Sequence, residues 1–457
     1  MWMNSFTRLL LPIVLTVLTG VSSAVQPPDV VPAAVRATVK ETAKLREVRI
    51  GVAGAPLSLF GKDESPTFDI AFQKLADHGF DFFFPLFVIR ETPEQSTYSG
   101  HGIYFLPGAL TGLHIEQSCG GSFNPYTAAL GKIKIWYPGV QLLGLFGTTR
   151  PISEQEFQHA LMVHEKECPD MKRAVGAFYS FDEPSLNRVV AHFSDKTPGA
   201  SGNEATVAKL VRQAWDVPVI IVEAPDESTI KTTDLPAPQM KQAVEMFWND
   251  VREVAPTQDG YGFNVYSIPD FRLTLAGDYC RKAKEVAPNQ SIVSVIQGMS
   301  FAGITGDPNG GRAPTESEIR FQAVDSLIAG ADTLCWYGCS SLDLDLLRDQ
   351  IIWRSICKVV GELKSITTTL HKEKVAELFT PELGYRCHVS DTQIIVLLVN
   401  RSSQQSIIHM DFVSGCTGVE VIAGPEPTQR NSGDWQLECP AYTACIFRFN
   451  RPDPAMP

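Results

Sequence analysis

The chain runs to 457 residues, with a hydrophobic fraction of 44%, a charged fraction of 20% and a formal net charge of -12. That length is enough for one large domain and a small one, and the composition is that of an ordinary globular protein. The acidic balance leaves no basic surface to release phosphate counterions, which excludes nucleic acid and anionic membranes as partners. A neutral carbohydrate passes the same filter without being selected by it.

Residues 1–24 have the layout of an export signal. Arg8 supplies the positive start, Leu9 to Leu18 the apolar run, and Ser22-Ser23-Ala24 a small-residue cleavage site. The run is short of the roughly 20 residues that span a bilayer. The expectation is therefore an exported protein (periplasmic, cell-surface or extracellular) with no membrane segment once the signal is removed; a retained N-terminal anchor is the alternative. Residues 25–45, rich in Pro, Ala and Val, read as a mobile leader.

From residue 46 onward, apolar strands alternate with helices of period 3.6. Strands are expected at Arg49 to Ala53, Phe80 to Val88, Val140 to Phe146, Ala174 to Phe181, Pro218 to Val222, Gly260 to Tyr266, Ser291 to Ile296 and Thr333 to Tyr337. Between them the periodicity predicts helices over Phe68 to His78, Glu154 to Lys166, Glu204 to Trp215, Met240 to Val254 and Leu273 to Val286. Thr315 and Glu318, three apart, form a capping box for a helix that stops at Gly330, and a long helix covers Leu344 to Ile366. Repeated βα units with nearly continuous apolar strands argue for a parallel sheet buried on both faces. Over about 320 residues this is the size of a (β/α)8, or TIM, barrel. The open doubly wound sheet is the rival, but Gly51, Gly54 and Gly61 lack the phosphate-turn spacing that fold carries.

After residue 370 the pattern changes to short strands divided by turn clusters, such as Asn400 to Gln404 and Arg430 to Asp434. Residues 371–457 therefore read as a small all-β sandwich following the barrel of 46–370. The ten cysteines are too sparse for a disulfide scaffold, and Cys335 and Cys339 have no zinc-ligand spacing, so the cysteines read as buried or bridged. No metal or other cofactor is indicated.

In such a barrel the chemistry lies at the C-terminal ends of the strands. The fourth strand runs into Asp182-Glu183-Pro184, which places two carboxylates at the mouth. A carboxyl in a partly closed site can have its pKa raised and serve as a general acid. The same pair also suits a helix N-terminus, where acidic groups offset the macrodipole. Glu223 and Asp226 follow the fifth strand, Asp270 the sixth, Asp307 the seventh and Asp343 the eighth. Tyr266, Trp336 and Tyr337 end their strands and supply flat rings for a sugar face. Arg90, after the second strand, is a further lining residue.

Asp182-Glu183-Pro184 resembles the Asn-Glu-Pro of the retaining barrel glycosidases, and more closely the Asp-Glu-Pro of glycosidase-like barrels from environmental bacteria. Those barrels commonly end the seventh strand in Gln and carry Arg-x-Pro-Thr-x-x-Glu before the last unit; this chain has Gln297 and Arg312-Ala313-Pro314-Thr315-Glu316-Ser317-Glu318. The resemblance covers the barrel and implies a glycoside hydrolase acting on an oligo- or polysaccharide, with Glu183 as acid/base. It also implies that Gln297 stands where retaining members hold their nucleophile, and an amide cannot replace that carboxylate. Glu223 is then the first choice for a second carboxylate, Asp182 the next, and a carbohydrate-binding barrel without catalysis the alternative reading. The expected site is Glu183, Asp182 and Glu223 for catalysis, with Gln297, Trp336, Tyr337, Tyr266, Arg90 and Asp270 for substrate.

Overall fold

The structure is a computed structural model that describes residues 48–54, 75–85, 134–138, 155, 158, 175–193, 204–226, 230, 235–269, 272–300, 312–339, 350–370, 373–390, 392–430 and 433–451. Eight parallel strands close into a barrel: β1 (Arg49–Gly54), β2 (Phe82–Pro85), β3 (Lys134–Pro138), β4 (Val175–Asp182), β5 (Val219–Glu223), β6 (Gly260–Val265), β7 (Ser291–Gln297) and β8 (Thr333–Cys339). The ring is sealed by β8 pairing with β1, Leu334 beside Ile50 and Trp336 beside Val52. Around it lie α1 (Pro184–Phe193), α2 (Glu204–Trp215), α3 (Ala237–Val254), α4 (Leu275–Val286), α5 (Glu316–Ile328) and α6 (Gln350–Lys364).

Seven of the expected barrel strands overlap those found, and β3 does not. It forms at Lys134–Pro138, ahead of the expected Val140 to Phe146, which lies outside the described residues. Helix α1 was not expected. It carries Pro at its first position, where a missing N–H costs nothing, and buries Leu186 and Val189 three apart. The expected export signal, leader, Arg90, Asp270, Asp307 and Asp343 also lie outside the described residues.

Among the described side chains, alternate strand residues serve two cores. Ala53, Phe82, Phe84, Ala177, Tyr179, Ile220, Val222, Val293, Val295 and Cys335 fill the barrel interior. Their neighbours, including Phe178, Ile221, Phe263, Ile296 and Trp336, face the helices. This parity decides which strand-end side chain can reach the mouth.

Two antiparallel sheets follow the barrel. One has the order β13-β16-β11-β10-β9 and the other β12-β15-β14, formed by β9 (Glu373–Phe379), β10 (Leu383–Val389), β11 (Gln393–Asn400), β12 (Ser406–His409), β13 (Gly418–Ala423), β14 (Thr428–Gln429), β15 (Trp435–Cys439) and β16 (Thr443–Asn450). Between them lies a core with Val396, Leu398, Trp435, Leu437, Phe447 and Phe449. The opposite face of the larger sheet, with Ile395, Leu397, Val399 and Ile446, merges into the core of the barrel's helix layer. The chain is thus a TIM barrel with an attached β-sandwich, and the two share apolar packing. Among the described residues no helix is long and apolar enough to cross a membrane.

Candidate functional site

Glu183 occupies the turn between β4 and α1. Its N–H donates to the Val222 carbonyl at 2.9 Å, and its own carbonyl accepts from Asn187 N–H at 3.0 Å. One residue thus ends a strand and opens a helix with no connector, and its φ is +50°, in the left-handed region that side chains larger than Gly occupy at a cost of about 1 kcal/mol. The side chain is half-buried, and the Asn264 amide donates to its Oε1 at 3.3 Å. Asn264 sits on β6 between Phe263 and Val265, both of which face the helices, so Asn264 faces the interior near the C-terminal end. The bond to Asn264 therefore turns Glu183 toward the barrel mouth.

Two tyrosines share that end. Tyr266 and Tyr337 pack against the interior cluster and stack on each other, with ring centroids 5.3 Å apart and planes 27° apart, each half-buried. In the same interior cluster the rings of Phe84 and Tyr179, both buried, have centroids 4.6 Å apart. A carboxyl held by an amide, at the same end as two half-buried rings, can offer a proton and an apolar platform to one ligand.

Other expected site residues stand elsewhere. Glu223 follows Val222, which faces the interior, and so turns outward into the helix layer. It is fully buried, and the Ser185 N–H at the start of α1 donates to both its carboxylate oxygens at 3.0 and 3.2 Å. Burial pushes its carboxyl up to about 8, against the lowering effect of the Ser185 bonds and the Arg188 charge. Arg188 in turn holds Glu204 and Asp250. Glu223 is thus an anchor for α1 and not a group of the mouth. Asp226 is likewise buried outside the barrel, where it accepts from the Tyr279 hydroxyl.

Gln297, expected to bind substrate, is wholly enclosed. Its Nε2 donates to the carbonyls of Ile268 at 2.9 Å and Met299 at 3.0 Å, and its Oε1 accepts from Ile268 N–H at 2.9 Å. Both amide hydrogens are used on the backbone that follows β6 and β7, which leaves none for a sugar. Trp336 is also corrected: it has no exposed surface and packs in the helix-facing core, one residue out of phase with the mouth. Asp182 pairs in β4 with Val222 of β5 through its backbone, and its side chain lies outside the described residues. Asn264 was missed as a site residue; its signal in the sequence was a polar amide within an otherwise apolar strand.

The motif before α5 has a structural use. Thr315 accepts from Glu318 N–H at 3.3 Å, Glu318 accepts from Thr315 N–H at 2.9 Å, and Arg312 clamps the Glu318 carboxylate with both terminal nitrogens. Among the described residues no group of three His, Cys, Asp or Glu is placed to hold a metal ion.

No family model matches the chain, and no curated protein does. Solved structures do. An α-amylase from Geobacillus thermoleovorans in complex with acarbose aligns at TM-score 0.50 with 11% identity, over 89% of this chain and 98% of that one. AmyP in complex with maltotriose aligns at TM-score 0.50 with 11% identity, over 91% and 99%. A family 30 glycoside hydrolase, an endoxylanase from Clostridium papyrosolvens, aligns at TM-score 0.48 with 12% identity, over 88% and 97%. The chain has the glycoside-hydrolase-like (β/α)8 fold followed by an all-β domain, as the α-amylase does.

Proposed function

We propose that this is an exported glycoside hydrolase whose mouth takes an oligo- or polysaccharide, with Glu183 as the general acid. One observation carries the reading: the Glu183 carboxyl is turned to the barrel mouth by Asn264, at the end of the barrel that also holds the Tyr266–Tyr337 pair. In hydrolysis Glu183 would deliver its proton to the glycosidic oxygen as the bond to the anomeric carbon breaks, while water enters at that carbon and loses a proton to a second carboxylate. Asn264, bonded to Oε1, would help to orient the carboxyl. With Glu223 engaged by α1, the second carboxylate is sought among Asp182, Asp270, Asp307 and Asp343.

Glu183→Gln keeps the shape and the Asn264 bond but removes the transferable proton. On a panel of α- and β-linked oligosaccharides, turnover is expected to fall by about 10²- to 10⁴-fold with binding retained; undiminished turnover would remove Glu183 from the mechanism. A second reading, a carbohydrate-binding barrel without catalysis, is favoured by Gln297, since its amide is spent on the backbone where a nucleophile is wanted. Binding with no turnover by the unmodified protein across the panel would decide for it.

A further inference from the structure

We propose that Cys439 and Cys445 are a modification site: under oxidising conditions they form a disulfide that ties the two sheets of the sandwich together. Cys439 ends β15, in the three-stranded sheet, and Cys445 lies near the start of β16, in the five-stranded one. They belong to opposite walls of one core, yet their Sγ atoms are 3.9 Å apart and neither residue has exposed surface. A disulfide brings the sulfurs to about 2.0 Å. The remaining gap is of the size that a sulfur covers on rotation about its Cα–Cβ bond between staggered positions. Gly424, at φ +97°, closes the space beside Cys445 so tightly that a Cβ there would lie 2.8 Å from the Cys445 sulfur. Among the described residues no other two cysteine sulfurs come into such contact, although Cys387 and Cys416 share the same core.

Forming the bond removes two electrons and two protons. The Cys439 thiolate attacks a sulfur of an external disulfide, either a small one or that of a thiol oxidoreductase, and expels one thiolate. Cys445, deprotonated in turn, attacks the Cys439 sulfur of the mixed disulfide and expels the second thiolate, leaving the intramolecular bond. Both sulfurs are enclosed in the finished domain, so exchange precedes closure of the two sheets. In the cell this rests on the exported reading above; with an added oxidant it does not.

The test is refolding of the full chain in a reduced and oxidised glutathione mixture, followed by alkylation in denaturant without reductant. Trypsin releases both cysteines in one peptide, residues 431–448. The expected product carries no alkyl groups and is lighter than the reduced form by two hydrogen atoms, while Cys280 and Cys335 are alkylated. Reduction then lowers the Tm of the protein by about 5 °C and leaves that of Cys439→Ser unchanged. Full alkylation of both residues before reduction, or a cross-linked peptide joining either to Cys387 or Cys416, would overturn the proposal. Fractionation of the native host tests export separately.

Discussion

Glu223 lies one position beyond Val222, and that step along a strand exchanges the barrel interior for the helix layer. Its raised pKa has a thermodynamic sign. At about 8, the folded-state value lies above the ordinary 4.5, so between these values the folded chain holds a proton that the unfolded chain has released. The stabilisation is complete below about pH 4.5 and is lost as pH rises toward 8. Denaturant unfolding from pH 5 to 8 should therefore show stability falling more steeply in the unmodified protein than in Glu223→Gln, by up to roughly 1.4 kcal/mol per pH unit. Equal slopes would mean that Glu223 is already ionised in the fold. Asp325, raised to about 7 by burial, slopes the same way in both proteins and cancels in the comparison. The sequence disclosed where the strands end but not which strand-end residues point inward. A strand buried on both faces has no polar alternation to mark its phase. Glu223 and Trp336 were misplaced for that reason, while Tyr266 and Tyr337 fell on the inward phase.

The helix starts were legible where side chains satisfy backbone. Thr315 and Glu318 announce α5, and the structure shows both halves of their box. Thr315→Ala should lower stability by about 1 kcal/mol, read by chemical denaturation. Gly330, at φ +109°, ends that helix as its position implies. The start of α1 was hidden by its merger with the strand end: Asp182-Glu183-Pro184 was weighed as either a catalytic pair or a helix entrance, and the structure shows the helix entrance. β3 was misplaced because residues 134–138, with Lys134 and two aromatics, form a weaker apolar run than the stretch after them. The burial of α5 on nearly every side, polar Gln322, Asp325 and Ser326 included, follows from its position: β7 packs on one side, β10, β11 and β16 on the opposite one, and α4 and α6 flank it.

At the scale of the molecule, one arginine joins the two halves. Arg401, in the turn after β11, donates to Asp325 at 2.9 Å and to Asp278, bonds the carbonyls of Thr380 and Thr274, and lies 4.1 Å over the Phe379 ring. Charges so enclosed contribute little net stability as a pair, but removing one leaves the other stranded. Arg401→Met should cost about 3 kcal/mol, and a further Asp325→Asn should recover part of it. Additive losses in that double-mutant cycle would show that the two do not interact. The barrel and the sandwich were both visible in the sequence, but this junction was not, since contacts between residues 76 positions apart leave no local pattern. The sandwich also closes a small polar hollow of Arg386, His388 and Leu397 against Val48, Ala331 and Asp332, residues that precede β1 and β8. Its grip is therefore on the barrel's base, on the flank of α5 and, through Arg401, on the first turn of α4. A barrel cut free of its sandwich would bare that apolar flank to water and tend to aggregate.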